Sequence, residues 1–322
     1  MFDIVGMGNA IVDLTTLAAE NQAFANMHIS DRGGFFRTRI DEFEEILHFS
    51  KNNQVSAGGS VANSMKAFAA LGGKACFIGK IGMDKYGTFF TESLKNYNIY
   101  PGLFIDKENA TGCSVVLVHK DGEKSICAKL RASKIIPFNS VNMELVAESR
   151  MLFMEGYWLD NNLLTVKKII NAARKNLIRD LHSFPHDALP ICIAFTLSDP
   201  QIVVQQFDFF AKYMKHIDIL LGNEKEFEAL GESVLPPVAV KTLGANGVDV
   251  RSQGKWQHFQ PLKVENVVNT TGAGDAFAGG FLYAVSRGMP IEKAVETGQL
   301  CAVDVLTQAG SHVRPDLNER LR

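Results

Sequence analysis

Six short apolar runs recur along the chain, and they limit the fold more than any other feature: FDIVGMG (2–8), ACFIGKI (75–81), RMLFMEG (150–156), ICIAFTL (191–197), IDILLG (217–222) and PVAVKTL (237–243). A strand with one wet face alternates apolar and polar residues. These runs are almost continuously apolar, so both of their faces must be covered. Helical patterns lie between them. Ser60–Leu71 ends in Gly72-Gly73, a helix stop signal. Asn161–Asn176 gathers Leu164, Ile169, Ile170 and Ala173 on one side, and Asp199–Met214 follows with Phe207, Phe210 and Ala211. Buried strands alternating with helices predict a three-layer α/β/α sandwich around a mostly parallel central sheet. Two regions break the rhythm. Residues 12–57 and 100–135 hold short strand-like pieces (GGFFRT, CSVVLVH, KSICAKL) without the spacing of crossover helices, and they predict a small antiparallel β lid.

With 322 residues the chain has length for one large domain or two, and 46% hydrophobic against 21% charged residues suits a soluble protein with a large core. A net charge of −2 exerts no overall pull toward nucleic acid or an anionic membrane. No apolar run approaches a membrane span, and MFDIVGMGNAIVDL reads as a buried strand rather than an export signal. The five cysteines (Cys76, Cys113, Cys127, Cys192, Cys301) are odd in number and lack a C-x-x-C, which points to reduced thiols in a cytoplasm.

The chemistry is concentrated in NTTGAGDAFAGG (269–280), just before an apolar helix carrying Phe277, Phe281, Ala284 and Val285. Glycines let backbone N–H groups approach a ligand, and a helix N-terminus favours negative charge, so Thr271-Gly272-Ala273-Gly274 suits a phosphate. Asp275 beside such a site needs a task. Accepting the proton of a hydroxyl that attacks phosphorus is the natural one. The competing reading is an ordinary helix cap after a glycine turn. GMGNAI (6–11) invites a dinucleotide-binding reading, but Ile11 stands where its third glycine belongs. His182, His186 and Cys192 could suggest zinc, yet their spacing is loose and a fourth ligand is lacking.

TTGAGDAFAGGFLYAVSRG (270–288) resembles the C-terminal signature of the ribokinase-like (PfkB) carbohydrate and nucleoside kinases, and SAGGSVANSMKAFAALGGKACFIGKIGMDKYG (56–87) resembles their N-terminal one. GNAIVD (8–13), NEKE (223–226) and KTLGANG (241–247) fall in the family's order, so the resemblance covers nearly the whole chain, as one ribokinase-like domain over 1–322. It implies transfer of the γ-phosphoryl of ATP to a primary hydroxyl of a small sugar or nucleoside. Asp275 becomes the catalytic base, and the amides of Gly272, Ala273 and Gly274 the anion hole. Asp13, Gly58, Gly59 and Asn63 are implied to hold the acceptor. Asn223 and Glu226 help hold Mg²⁺, usually through water; Thr271, Thr242, Gly244 and Gly247 serve the nucleotide phosphates, and Gly298 and Ala302 border the adenine. Read alone, NEKE would be a solvated helix start.

Several departures stand out. IRDLHSFPHDALP (178–190) is an insertion where the family passes quickly to the next strand: a loop or a non-native scar. Between NEKEFEAL and VAVKTLG only GESVLPP remains, so a peripheral helix is missing. Asn269 replaces an aspartate linked to monovalent-cation activation, which leaves dependence on K⁺ open. Arg131 replaces a small residue and either contacts acceptor or phosphate or narrows the pocket. GNAIVD, GGSVAN, MEGYW and FTLSD resemble most the adenosine-kinase-like branch. The alternatives are a kinase for a ribose- or fructose-type sugar and a catalytically silent binder on the same fold. The lid is also a candidate homodimer surface.

Overall fold

The computed structural model describes residues 1–26, 34–36, 38–50, 54–120, 124–174, 191–232 and 235–321. The first strands are β1 (Phe2–Met7), β2 (Ile11–Leu17), the two-residue β3 (Gly34–Phe35) and β4 (Gln54–Gly58). Then come β5 (Ala75–Gly82), β6 (Tyr100–Asp106), β7 (Gly112–Val118), β8 (Lys124–Lys129) and β9 (Ser149–Glu155). The last are β10 (Cys192–Thr196), β11 (Ile219–Asn223), β12 (Val238–Thr242), β13 (Val248–Ser252) and β14 (Lys255–Phe259).

Nine strands form the central sheet in the order β14-β13-β12-β11-β10-β9-β1-β5-β6. From β6 to β12 every pairing is parallel; β13 and β14 add an antiparallel hairpin at one edge. Alternate residues of one strand feed two different cores, which is why the strands had to be apolar throughout. On β9, Met151 and Phe153 face the helices Ser60–Ala70 and Ala273–Ser286, while Leu152 and Met154 face Leu159–Arg174. A fully buried side chain such as Phe153 contributes about 1.5–3 kcal/mol of transfer free energy.

The order of the strands also positions the site. The chain leaves β1 toward β5 and β6, then returns on the other side through β9, β10, β11 and β12. Such a reversal, here between β1 and β9, is the usual neighbourhood of a ligand in an open parallel sheet, and the cavity lies beside it at the carboxyl ends of β10, β11 and β12. The chain turns at Gly8–Ala10 to enter the second sheet, β3-β8-β7-β2-β4, which is the lid.

The observed fold corrects the expectations at several points. The lid is mixed rather than antiparallel, because β2 pairs parallel with β7 and β3 with β8. Residues 100–106 are not lid at all: β6 is the edge strand of the central sheet, parallel to β5. The 199–214 pattern is two helices, Pro200–Gln205 and Phe207–Tyr213, broken at Gln206 (φ −109°, ψ 23°). That break turns Phe209 and Phe210 inward and leaves Phe207 and Ala211 exposed. In Leu159–Arg174, Ile169, Ile170 and Ala173 are buried as expected, but Leu164 is 74% exposed. The 178–190 insertion, with His182 and His186, lies outside the described residues; Cys192 opens β10. No helix among the described residues is long and apolar enough to cross a membrane.

Candidate active site

The carboxyl ends of β10, β11 and β12 supply Thr196, Asn223 and Thr242 to a cavity of about 340 Å³. Gly59, Ser60 and Asn63 close it from the start of the Ser60–Ala70 helix, and Gly274 and Asp275 from the start of Ala273–Ser286. A second cavity of about 770 Å³ adjoins it, sharing Asn223, Thr242, Gly274 and Phe277. This larger space is walled by Gly244, Gly247, Val248, Ala302 and Leu306, so it is mainly apolar.

Asp275 sits where the two helices meet. Ser60 Oγ donates to its Oδ1 at 2.6 Å and Asn63 Nδ2 to its Oδ2 at 3.1 Å. Ser60 is therefore not a cap. Gly59 holds the N-cap position without a side-chain bond, and the hydroxyl aligns the carboxylate instead. Burial pushes Asp275 up to about 6 against the pull of those two bonds, and the charge of Asp13 adds to the rise. Asn63 Oδ1 is buried and has no partner, so it is an acceptor waiting for a ligand hydroxyl or amine.

The approach to Asp275 depends on two glycines with different reasons. Gly272 is left-handed (φ +83°), and a Cβ there would lie 1.9 Å from the Ser311 carbonyl oxygen. At Gly274 a Cβ would meet nothing within 4 Å, so bare backbone faces open space. Among the described residues no hydrogen bond engages the amides of Gly272 or Gly274, while Ala273 N–H makes a long 3.4 Å bond to the Thr270 carbonyl. The helix start thus presents unpaired donors toward the cavities.

Acidic groups gather around this point. Glu155, at the end of β9, accepts from the amides of Asn9 (2.7 Å) and Val61 (3.2 Å), and burial pushes it to about 7. Burial likewise pushes Glu226 to about 7, opposed by the Asn223 amide and reinforced by the charges of Asp199 and Asp275. Asn223 and Glu226 close a capping box: Asn223 N donates to Glu226 Oε2 at 2.9 Å, Asn223 Nδ2 to Oε1 at 2.7 Å, and Glu226 N to Asn223 Oδ1 at 3.0 Å. Neighbouring carboxylates raise the proton affinity of Glu226, yet among the described residues no three or more His, Cys, Asp or Glu side chains are grouped as metal ligands would be. With both residues already bonded to each other, Mg²⁺ would be held mostly through its water.

Asp13 stands on β2, outside the lining of either cavity but near enough to act on Asp275. Ser114 Oγ donates to it, and the Gly58 backbone packs so closely that a Cβ would come within 2.0 Å of Asp13 Oδ2. Burial raises Asp13 to about 6; the fully buried Lys66 opposes that rise and donates to the Ala57 carbonyl at 2.5 Å.

Three other candidates are placed elsewhere. Arg131, itself at φ +46°, pairs with Glu44 and lies 5.4 Å from the Phe43 ring centroid, away from both cavities. Gly298 packs on Phe277, whose ring would be 2.8 Å from a Cβ, so it serves the contact between Ala273–Ser286 and Ile291–Leu306 rather than the cavity. Thr271 Oγ1 accepts from Lys124 Nζ at 3.0 Å, and the same ammonium bonds Asn269 Oδ1. A positive charge already faces those oxygens, so they do not suit a monovalent cation such as K⁺.

Glu155, Ser60 and Lys124 join the site, although the sequence motifs give them no role there. Glu155 carried one usable signal, an acid ending the otherwise apolar run RMLFMEG. The Ser60 and Lys124 partners lie 215 and 145 positions away, beyond any local pattern.

The model of the pfkB family carbohydrate kinases matches residues 36–316. The chain belongs to this family. Adenosine kinase 1 of Arabidopsis thaliana is 26% identical over 352 residues, covering 98% of this chain and 97% of its own length. A 5-dehydro-2-deoxygluconokinase of Halalkalibacterium halodurans is 25% identical over 340 residues, covering 99% and 93%. Among solved structures, adenosine kinase from Sinorhizobium meliloti superposes with a TM-score of 0.85 at 27% identity, covering 100% of this chain and 98% of its own. This pfkB-family protein is a sugar or nucleoside kinase.

Proposed function

We propose that this kinase moves the γ-phosphoryl of ATP to a primary hydroxyl of adenosine, with Asp275 as the base. The observation that carries the reading is the Asp275 carboxylate, fixed by Ser60 and Asn63 at the mouth of an open helix N-terminus. In the transfer the acceptor oxygen bonds to the γ-phosphorus as the bridging P–O bond to ADP breaks. The hydroxyl proton passes to Asp275, whose raised pKa of about 6 lets it take a proton and remain ionised at neutral pH. First-turn amides at 272–274 would face the migrating charge. The apolar 770 Å³ cavity suits the adenine of ATP, and the smaller one its phosphates and the reacting hydroxyl. Mg²⁺ near Glu226 and Asn223 would supply charge neutralisation.

A second acceptor class has support of its own, because a deoxygluconokinase matches as completely as the adenosine kinases do. An ADP-production screen with adenosine, ribose and fructose-type sugars, run beside Asp275→Asn, separates the readings. Turnover of adenosine alone supports the proposal, and turnover of a sugar alone replaces it. Adenosine that raises the melting temperature without ADP release indicates a binder.

A further inference from the structure

Lys124 opens β8 of the lid, yet its ammonium leaves that sheet and ends on the segment before the helix Ala273–Ser286. There it bonds Asn269 Oδ1 and Thr271 Oγ1, the latter at 3.0 Å. Asn269 is itself a junction. Its Oδ1 also accepts from Thr271 N at 3.0 Å, and its Nδ2 donates to the carbonyls of Ala309 (3.0 Å) and Gly310 (3.2 Å). The next residue along that second loop, Ser311, sets its carbonyl against Gly272. One lysine from the lid therefore grips the point where two loops fix the left-handed turn at Gly272.

We infer that Lys124 is a positioning residue that latches the lid to the 269–272 turn and thereby sets the first-turn amides at 272–274. The inference rests on the kinase reading for its effect on rate, but not for the latch itself. Burial lowers the proton affinity of Lys124, as a partly desolvated ammonium with neutral partners requires. A side chain that is long, charged and bonded at its tip across two sheets couples their positions. If the lid swings away, the Oδ1 of Asn269 and the Oγ1 of Thr271 lose a donor together.

The test is a double-mutant cycle of Lys124→Met and Asn269→Ala, read in two ways. Hydrogen exchange of the ligand-free protein should show the bonded amides of Thr271 and Ala273 exchanging at least tenfold faster in Lys124→Met, with the helix Ser60–Ala70 unchanged. In the acceptor assay each single variant should lose tenfold or more in kcat. The double variant should lose hardly more than Asn269→Ala alone, because that change already removes the latch along with the bonds of Asn269 to Thr271, Ala309 and Gly310. Losses that simply multiply, together with unchanged exchange at Thr271 and Ala273, would overturn the latch and leave Lys124 as an independent group. Lys124→Arg, which keeps charge and reach, should restore exchange protection; failure to do so in a folded variant would also count against it. Should the parent protein turn over no acceptor while exchange behaves as expected, the kinase reading fails and the latch stands.

Discussion

At the scale of single residues, the site depends on carboxyl groups held in places that disfavour charge. Asp275→Asn should lower kcat about 10²–10⁴-fold, as loss of a positioned base does, while nucleotide binding persists. In the parent, kcat/KM should fall about tenfold per pH unit below about 6, because only the ionised carboxylate accepts a proton. The stability effect has the opposite sense. The folded state keeps a proton on Asp275 up to about 6, whereas the unfolded chain releases it near the ordinary aspartate value of 3.8. The folded state gains from that proton at low pH and loses the gain as pH rises through this window. Asp275→Asn should thus become more stable relative to the parent between pH 4 and 6, by up to about 3 kcal/mol. Urea denaturation midpoints at the two pH values check this; a constant difference between variant and parent would contradict it.

At the scale of elements, the Asp275 carboxylate is only as well placed as two helices are packed. Gly279 lies between Ala273–Ser286 and Ser60–Ala70, and a Cβ there would come within 2.1 Å of the Ser64 carbonyl oxygen. Backbone cannot step aside cheaply, so Gly279→Ala should cost about 1–3 kcal/mol and push Asp275 away from Ser60 and Asn63. Thermal denaturation and kcat should fall together; a variant with normal stability and reduced kcat would show that the spacing is not set there. The Leu159–Arg174 helix offers a cleaner comparison. Ile169 is fully buried and Ile169→Ala should cost about 2–5 kcal/mol, whereas Leu164→Ala should stay within about 0.5 kcal/mol. Similar losses at both positions would mean that this helix turns its other face inward.

At the scale of the molecule, the site is shared by two sheets that touch through few elements. Asp13 and Lys124 belong to the lid, Asp275 and Glu226 to the central body, so a ligand bound at the site contacts both parts. A nucleotide and an acceptor should each stabilise the folded state by about 2.7 kcal/mol at one hundred times its dissociation constant. Scanning calorimetry with a non-hydrolysable ATP analogue, Mg²⁺ and adenosine would register it. A melting temperature unmoved by saturating ligands would remove adenosine as acceptor.

Six parallel strands of the central sheet, their covered faces and the glycine-acid start of Ala273–Ser286 are legible in the sequence, because each is written in neighbouring residues. Apolar continuity over six or seven positions already requires a strand buried on both sides. The motifs that resemble the kinase family likewise named Asn63, Asn223, Glu226, Gly274 and Asp275, which the fold gathers at one cavity. Tertiary structure alone decided the rest. The sequence pattern could not say that 100–106 would pair with β5 instead of the lid, since an edge strand with one exposed face looks the same in either sheet. Nor could it say that Arg131 would turn to Glu44, that Ser60 would serve Asp275, or that Lys124 would reach Asn269. Those partners meet only after distant segments close on one another. Local propensity has no term for such meetings, while the packing of helices and lid selects them.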